Sequence, residues 1–377
     1  MDTLIAPQGE FPLHRYPVRS RETLRAWDAA DEYLLNQLAE DDLLSGNPRV
    51  LIINDQFGAL SVALHPLQPV MISDSWLAHR GLLNNLKENG VAAEVVTLLD
   101  SLTEPQGVFD LVLIKIPKSL AMLEDQLARL RPHLHEGSRV IAGAMAKNIH
   151  TSTLKLFEKN IGPTSTSLAK KKARLIFSQL DNALTPAQDK YPSSWPLEGT
   201  AYQIKNHAGV FSRDSLDIGS RFFLQHLPES LAERDIIDLG CGNGVVGLIA
   251  AEKNPAARLT FVDESFMAVD SARLNFQAAF GDSRQADFQA TDCLSGIAPD
   301  SADLILNNPP FHQQHVVGDF IARQMFQESK RVLRRGGDLW VIGNRHLGYH
   351  IQLKKLFGNC EVVASNRKFV VLRTRKP

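Results

Sequence analysis

The sequence predicts an α/β fold made of two tandem, doubly wound domains, and three observations lead to this prediction. The chain has 377 residues, and at roughly 150 residues per domain this length suggests two domains. Short, continuously apolar runs alternate with helical stretches, which is the pattern of buried parallel strands covered by helices on both faces. The order of these runs in the first half recurs in the second half, which indicates an internal duplication.

In the second half, four apolar runs are interpreted as buried strands. They occupy residues 235–239, 259–263, 302–307 and 337–343. The first run is followed by a glycine-rich turn, Gly240-Cys-Gly-Asn-Gly244, that opens a helical stretch. The second run ends in Asp263, and the third continues into Asn308-Pro-Pro-Phe311. A strand, a glycine turn and a helix in this order are typical of a Rossmann-like domain.

The first half repeats this order but departs from its chemistry. Its matching runs occupy residues 50–58, 70–74, 109–118 and 137–143. We align Asn54 with Asp238. In this alignment the three glycines of the turn lie opposite Gln56, Gly58 and Leu60. A ligand cannot approach the backbone where a glycine is replaced by a larger residue. We therefore expect the N-terminal domain to be degenerate, keeping the fold and lacking the cofactor site.

The domain borders follow from a connector rich in proline. Residues 185–196 contain three prolines and two serines, a composition that disfavours helix and is common between domains. We predict a degenerate domain at residues 1–184, a linker at 185–205 and a catalytic domain at 206–377.

Composition excludes several classes of protein. Lys and Arg total 41 against 42 Asp and Glu, which excludes histone-like binding of nucleic acid but leaves room for a local basic patch. No apolar run approaches the ~20 residues that span a bilayer, and the N-terminus lacks the apolar core of a signal peptide. We therefore expect a cytoplasmic protein with no membrane partner.

The three cysteines are far apart and form no CxxC pair, so no metal site is expected.

The glycine turn alone leaves the cofactor open. Glycines between a strand and a helix let a ligand reach the backbone amides, and Asp263 can accept hydrogen bonds from two ribose hydroxyls. Residues 242–247 also satisfy GxGxxG, so an NAD-dependent oxidoreductase is the rival interpretation. Asp238 would repel a pyrophosphate but attract the sulfonium and ammonium of S-adenosylmethionine (SAM). Asp292 is a candidate acceptor for the adenine amino group.

Together with Asn308, these observations define the candidate cofactor residues. They are Asp238, Gly240, Cys241, Gly242, Asn243, Gly244, Asp263, Asp292 and Asn308.

The corner Asn308-Pro309-Pro310-Phe311 is the candidate catalytic segment. Two successive prolines fix both φ angles and remove both N–H donors, so the turn and the Asn308 side chain present a rigid set of acceptors. Such acceptors can hold a ring-attached NH2 group with its lone pair aimed at a methyl donor, and alignment then supplies most of the rate. A base attacked at this amine inside a helix must first be flipped out, and Phe311 could stack on it. The residues alone predict a methyltransferase acting on an amine.

The chain resembles the bacterial ribosomal RNA guanine-N2 methyltransferases over essentially its whole length, most closely those of the large subunit. The resemblance is carried by the corner itself, extended through residues 312–315, and by segments at residues 27–35, 150–158, 171–176, 210–213, 216–219, 221–223 and 344–347. It implies class I SAM-dependent methyltransferase domains, SAM as methyl donor, the N2 amine of a guanosine in 23S rRNA as acceptor, and a degenerate N-terminal domain. It also implies that Asp217 and Gly219 lie beside the cofactor pocket.

Three alternatives stay open at this point. The substrate could be 16S rRNA, since the residues do not identify the ribosomal subunit. An adenine-N6 nucleic-acid methyltransferase, or one that acts on a glutamine amide, would use the same corner. A non-catalytic ribosome-assembly factor is the alternative that is not an enzyme.

Basic residues predict where RNA binds, because phosphate contacts come mainly from Lys and Arg. The densest cluster lies at the end of the first domain, and two lysines follow the strand that matches the one before the corner. With Arg345, the candidate RNA-binding residues are Lys170, Lys171, Lys172, Arg174, Lys115 and Lys118. We expect the N-terminal domain to be an RNA-docking module.

Overall fold

The computed structural model describes residues 2–18, 22–186, 188–230, 232, 234–310 and 315–377, without the side chains of 315–319. Phe311 of the proposed corner lies outside the described residues. The chain forms two compact units, Met1–Tyr191 and Pro192–Pro377. The division falls inside the segment interpreted as a linker, and the second part of that segment pairs as a hairpin of Ser193–Pro196 with Gln203–Asn206.

The first unit contains one seven-stranded sheet and a separate N-terminal hairpin. Its strands are β1 Asp2–Ala6, β2 Gly9–Leu13, β3 Val50–Ile53, β4 Val70–Ser73, β5 Thr97–Asp100, β6 Phe109–Lys115, β7 Leu134–Met145, β8 Thr164–Thr166 and β9 Ala173–Gln179. Its helices are α1 Ala29–Glu40, α2 Ala59–Ala63, α3 Trp76–Glu88, α4 Leu120–Leu130 and α5 Thr151–Asn160. The strand order is β5-β4-β3-β6-β7-β9-β8, with β9 antiparallel to both of its neighbours.

The second unit repeats this architecture. Its strands are β10 Ser193–Pro196, β11 Gln203–Asn206, β12 Asp235–Leu239, β13 Arg258–Asp263, β14 Ala286–Ala290, β15 Ala302–Asn307, β16 Leu333–Asn344, β17 Glu361–Ser365 and β18 Phe369–Arg375. Its helices are α6 Ile218–Leu224, α7 Val245–Lys253, α8 Phe266–Phe280, α9 His315–Val332 and α10 Tyr349–Phe357. The order β14-β13-β12-β15-β16-β18-β17 matches that of the first unit strand for strand. The predicted fold class, two tandem Rossmann-like domains, is confirmed.

Burial on both faces explains why the strands are continuously apolar. In β3, Val50 and Ile52 pack into one core while Leu51 and Ile53 pack into another, because successive side chains point to opposite faces. In β12, Ile236 and Ile237 divide between two cores in the same way. Each fully buried side chain of this kind contributes roughly 1.5–3 kcal/mol. The apolar runs therefore specify sheets that are covered on both sides.

The central strand β12 determines where a ligand can bind. It lies between β13 and β15 and is parallel to both. From β12 the chain continues to β13 on one side of the sheet, and from β15 it continues to β16 on the other. Ligands of open α/β sheets bind in the crevice at such a switch point. The glycine turn, Asp263 and the Asn308 corner all follow strands that end at this edge.

Superposing the two strand patterns corrects the alignment of the copies. The N–H of Asn54 donates to the Ile72 carbonyl at 2.9 Å, as that of Gly240 donates to the Val262 carbonyl at 2.8 Å. Both residues have positive φ, 66° and 70°. Asn54 therefore corresponds to Gly240, and the alignment of Asn54 with Asp238 is wrong by two residues. The residue in the place of Asp238 is Ile52, which is fully buried.

The corrected alignment strengthens the case for degeneracy. Gly58 now matches Gly244, since both have positive φ and cap the helix that follows, and Gln56 matches Gly242. One glycine of three is still retained. Ser73 matches Asp263, because each side chain accepts a hydrogen bond from the backbone N–H two residues later. Both acids expected to hold a cofactor are thus replaced in the first unit.

Among the described residues, no helix is long and apolar enough to cross a membrane. The cytoplasmic location stays a prediction.

Candidate functional site

The glycine turn is folded tightly against the end of β13. The N–H groups of Gly240 and Cys241 both donate to the Val262 carbonyl, at 2.8 and 3.0 Å. Gly244 caps α7 with φ 77°, and a β-carbon there would lie 2.7 Å from Cβ of Ala272. Positive φ and lack of space both require glycine at this position.

Asp238 is a buried acid at the base of the crevice. It is 2% exposed, and its Oδ2 accepts a hydrogen bond from the Gly247 N–H at 2.7 Å. Burial raises the pKa of Asp238 to about 8, and the nearby charge of Asp263 acts in the same direction. A cationic group bound beside this carboxyl would favour its ionised form. Binding of a cation at this place is therefore coupled to loss of the Asp238 proton.

Asp263 and Asp292 lie at neighbouring strand ends. The two oxygens of Asp263 accept from the N–H groups of Gly242 and Ser265, at 2.9 and 3.1 Å, and burial raises the pKa of this carboxyl. A carboxylate has about four acceptor positions, so both oxygens can still accept from ligand hydroxyls. The Thr291 N–H donates to the Asp263 carbonyl at 2.9 Å, which holds the two strand ends together beside Asp292.

The side chain of Asn243 is part of the scaffold. Its Nδ2 donates to Oδ1 of Asn206 at 2.9 Å, and its backbone carbonyl accepts from Nδ2 of Asn275. Asn206 and Asn275 are buried and were missed by sequence reasoning, because no local pattern joins residues so far apart in the chain. The Cys241 side chain is also buried, and burial raises the pKa of its thiol. The side chains of Asn243 and Cys241 thus shape the turn from inside the fold.

The corner begins where β15 ends. Asn307 is fully buried and its Nδ2 donates to the Leu239 carbonyl at 2.9 Å, so the ends of β15 and β12 are joined. A β-carbon on Gly240 would lie 4.0 Å from the Asn308 carbonyl oxygen. The structure thus brings Asn308, the first residue of the corner, against the glycine turn.

The Asn308 side chain is held at its nitrogen and unpartnered at its oxygen. Nδ2 donates to Oγ of Ser220 at 3.0 Å. Oδ1 is buried and accepts no hydrogen bond within the described part of the chain. A buried acceptor without a donor costs free energy, which an incoming N–H group would recover. Sequence reasoning missed Ser220, although it follows directly on the segment that carries the resemblance.

Helix α6 forms one side of this corner. Asp217 caps the helix, its Oδ2 accepting from the Ser220 N–H at 3.0 Å. Gly219 packs against the ring of Phe369, which a β-carbon at Gly219 would approach to 3.2 Å. Asp217 and Gly219 therefore lie beside Asn308, on the same edge as the glycine turn.

The proposed RNA contacts differ in their availability. The three lysines at 170–172 are exposed, as are Lys118 and Arg345, while Arg174 is half-buried. Lys115 is 9% exposed, and its Nζ lies 2.7 Å from Asp28 and 2.9 Å from Asp31. This ammonium is paired inside the fold, so the prediction of Lys115 as an RNA contact is wrong.

No group of three His, Cys, Asp or Glu side chains in the described ranges is arranged to hold a metal ion.

Comparisons with known proteins divide the chain in the same way as its fold. Residues 1–182 match the family described as RLMG N-terminal domain, and residues 201–373 match the Methyltransferase small domain. The chain is 52% identical to ribosomal RNA large subunit methyltransferase G of Aeromonas salmonicida and 50% identical to that of Streptomyces griseus subsp. griseus, with 100% of both chains covered in each case.

A solved structure shares the fold of the whole chain. It is a T. thermophilus 16S rRNA N2 methyltransferase in complex with AdoMet and guanosine, with a TM-score of 0.76 and 20% identity. The match covers 100% of this chain and 98% of that one.

Proposed function

Since the chain belongs to the ribosomal RNA large subunit methyltransferase G family and is thus a SAM-dependent rRNA methyltransferase, we propose that it methylates the exocyclic N2 amine of one guanosine in 23S rRNA. The observation that carries this proposal is the buried, unpartnered Oδ1 of Asn308 beside the glycine turn. With a backbone carbonyl of the corner, this acceptor would match the two hydrogens of an amine, whereas a hydroxyl has one hydrogen to donate.

The residues of the crevice fit SAM. Asp238 would face its cationic end, Asp263 would accept from the ribose hydroxyls, and Asp292 would accept from the adenine amino group. The Gly240–Gly244 backbone, Asp217 and Gly219 would complete the pocket. When bound, SAM supplies an electrophilic methyl group on a sulfonium.

The corner would activate the amine by orientation. Asn308 Oδ1 and a backbone carbonyl of the corner accept the two N2 hydrogens, which turns the nitrogen lone pair toward the methyl carbon. The same oxygens stabilise the positive charge that develops on nitrogen during transfer. The methylated amine is acidic once it carries a fourth bond, so its proton can leave to water and no strong base is needed. The guanosine must be extruded to reach this corner, and we propose that Phe311 stacks on it.

RNA docking is assigned to the N-terminal unit. A cleft of about 490 Å³ opens there, and its lining includes Arg15, Arg25, Trp27, Glu32 and Lys171. Lys171 and Arg25 both pair with Glu32, at 2.7 and 3.3 Å. Glu32 is half-buried, but both cations are exposed, so an RNA phosphate can compete with Glu32 for them. The neighbouring exposed Lys170 and Lys172 support the same assignment, as does Lys118 on the sheet edge.

A second group of cations borders the corner in the catalytic unit. Arg345, Arg367 and Lys368 are exposed, and the Arg345 N–H donates to the Lys368 carbonyl at 3.0 Å. Lys368 immediately precedes Phe369, whose ring packs on Gly219. We propose that this group contacts phosphates that flank the target nucleotide.

Two opposite charge changes test the docking assignment. Replacing Lys170, Lys171 and Lys172 by Ala should weaken rRNA binding and reduce the slope of log K against log salt by about 2–3, as expected for three lost phosphate contacts. Glu32→Gln should strengthen binding, because it removes the competing carboxylate. The assignment is wrong if the triple variant binds as the native chain does, or if Glu32→Gln weakens binding in a folded protein.

The target is tested by mapping methylated nucleosides in rRNA from cells that lack this protein. We expect one N2-methylguanosine to disappear from 23S rRNA and to return when the chain is supplied. Its disappearance from 16S rRNA would instead identify the small-subunit substrate, and loss of N6-methyladenosine would overturn the choice of base.

A further inference from the structure

Comparison of the two units identifies a residue besides Asn308 that acts at the corner. Lys115 corresponds to Asn308, since Ile114 pairs with Ile53 of β3 as Asn307 pairs with Leu239 of β12. Asp28 caps α1 as Asp217 caps α6. The residue three positions after the cap is Asp31 in the first unit and Ser220 in the second.

These two positions are in contact in both units. In the first unit, Lys115 Nζ lies 2.9 Å from Asp31 Oδ1. In the second, Asn308 Nδ2 lies 3.0 Å from Ser220 Oγ. The degenerate unit fills the place with an ion pair, and the catalytic unit fills it with an amide and a hydroxyl. The fold therefore sets the contact, and the residue types set its chemistry.

The observed pair shows which edge of the amide is presented. An amide has one donor end and one acceptor end, and in the structure Asn308 Nδ2 faces the Ser220 hydroxyl at 3.0 Å, so Oδ1 is turned away from it. Oδ1 is indeed buried and without a donor. Reversal of the amide would present N–H groups to an amine that itself donates, and the two would repel each other.

We propose that Ser220 is a positioning residue for methyl transfer: its hydroxyl accepts from Asn308 Nδ2 and keeps Asn308 Oδ1 directed at the target amine. This inference rests on the function proposed above. Ser220 touches neither reacting atom and acts through Asn308.

The test compares Ser220→Ala with Ser220→Thr, using undermethylated 23S rRNA as substrate. The Ala variant keeps the backbone N–H that Asp217 accepts from, so α6 remains capped. We expect kcat to fall about tenfold, equivalent to about 1.4 kcal/mol, while the KM for RNA and the Kd for SAM stay within about threefold, a typical mutational scatter. The Thr variant keeps the hydroxyl and should recover most of kcat.

The matched control is Ser301→Ala, which removes another hydroxyl of the same unit, one that donates to the Ala298 carbonyl at 2.7 Å. It should leave kcat unchanged. If Ser220→Ala turns over like the native chain, loses activity only through SAM affinity, or is not rescued by Thr, the positioning role is wrong. If the native chain itself fails to methylate guanosine N2, the proposed function fails instead.

A stability measurement checks the contact without an activity readout. Asn308→Lys places an ammonium in the corner, and Ser220→Asp added to it rebuilds the pair found in the first unit. The double variant should melt at a higher temperature than Asn308→Lys alone, and Ser220→Asp alone should not stabilise the chain. Equal melting temperatures for the Asn308→Lys and double variants would show that the two positions do not interact.

Discussion

The raised pKa of Asp238 makes SAM binding dependent on pH. Burial raises this pKa to about 8, so at pH 7 only about one-tenth of the free protein carries the carboxylate. If only the ionised form binds the cationic end of SAM, each bound ligand releases close to one proton at pH 7. Binding must then overcome the cost of ionising a buried acid.

The size of the pH effect on the Kd for SAM follows from the fraction of protein in which Asp238 is ionised. The Kd for SAM should fall about tenfold for each unit of pH between 6 and 7, and should level off near pH 8. Above that, deprotonation of the ligand's own α-amino group, whose ordinary pKa is about 7.7–8.0, should weaken binding again. Titration calorimetry in buffers of different ionisation enthalpy measures both the Kd and the proton released. Asp238→Asn, which keeps the shape without titrating, should bind weakly and lose the slope below pH 8.

A Kd that stays constant between pH 6 and 8, or no proton release at pH 7, would refute the reasoning. If the Kd of Asp238→Asn for SAM changed with pH as steeply as that of the native chain, the pH dependence would belong to another group.

Three further substitutions test separate parts of the structure. Asn308→Ala removes the acceptor and should lower kcat by at least about 10²-fold in single-turnover assays, while rRNA binding in filter assays stays nearly intact. Gly244→Ala forces a side chain into positive φ and against a neighbouring helix, and should cost about 2–4 kcal/mol in chemical denaturation. Lys115→Met removes the ammonium that pairs with the buried Asp31 and the half-exposed Asp28, and should cost about 3–5 kcal/mol. Asp31, whose pKa burial already raises to about 6, can relieve part of this cost by protonation at low pH. The loss in Lys115→Met should therefore be greater at pH 8 than at pH 5, and a loss independent of pH would contradict this account.

Much of the fold could be predicted because the local signals agree. Continuous apolar runs specify strands buried on both faces, and the glycine turn, Asp263 and the Asn308 corner follow strands that a doubly wound sheet must bring to one edge. Their juxtaposition depends on strand order and on little else, so it could be anticipated without side-chain detail.

The error in aligning the copies has a physical origin. A shift of two residues leaves every side chain on its original face of the sheet, so the apolar pattern of β3 is the same before and after the shift. Only backbone features separate the two alignments, namely the hydrogen bond to Ile72 and the positive φ at Asn54. Asn is among the non-glycine residues that tolerate that region, which hid the match to Gly240.

Contacts between side chains that are far apart in the sequence could not be predicted. The prediction of Lys115 as an RNA contact fails because lysines are rarely buried unless they are paired, and its partners lie more than 80 residues away in the chain. Ser220 and Asn308 are separated by 88 residues, and nothing in either segment indicates the other. Such contacts arise from the packing of a helix against a strand end, which local patterns do not encode.

The central claim is that Asn308 holds a guanine N2 amine in line with the methyl group of SAM. It is tested most directly by incubating undermethylated 23S rRNA with the protein and SAM carrying an isotopically labelled methyl group, then identifying the labelled nucleoside by mass spectrometry. We predict label in N2-methylguanosine at a single position with the native chain, and none with Asn308→Ala. Label in another nucleoside, or unchanged labelling with Asn308→Ala, would contradict the claim.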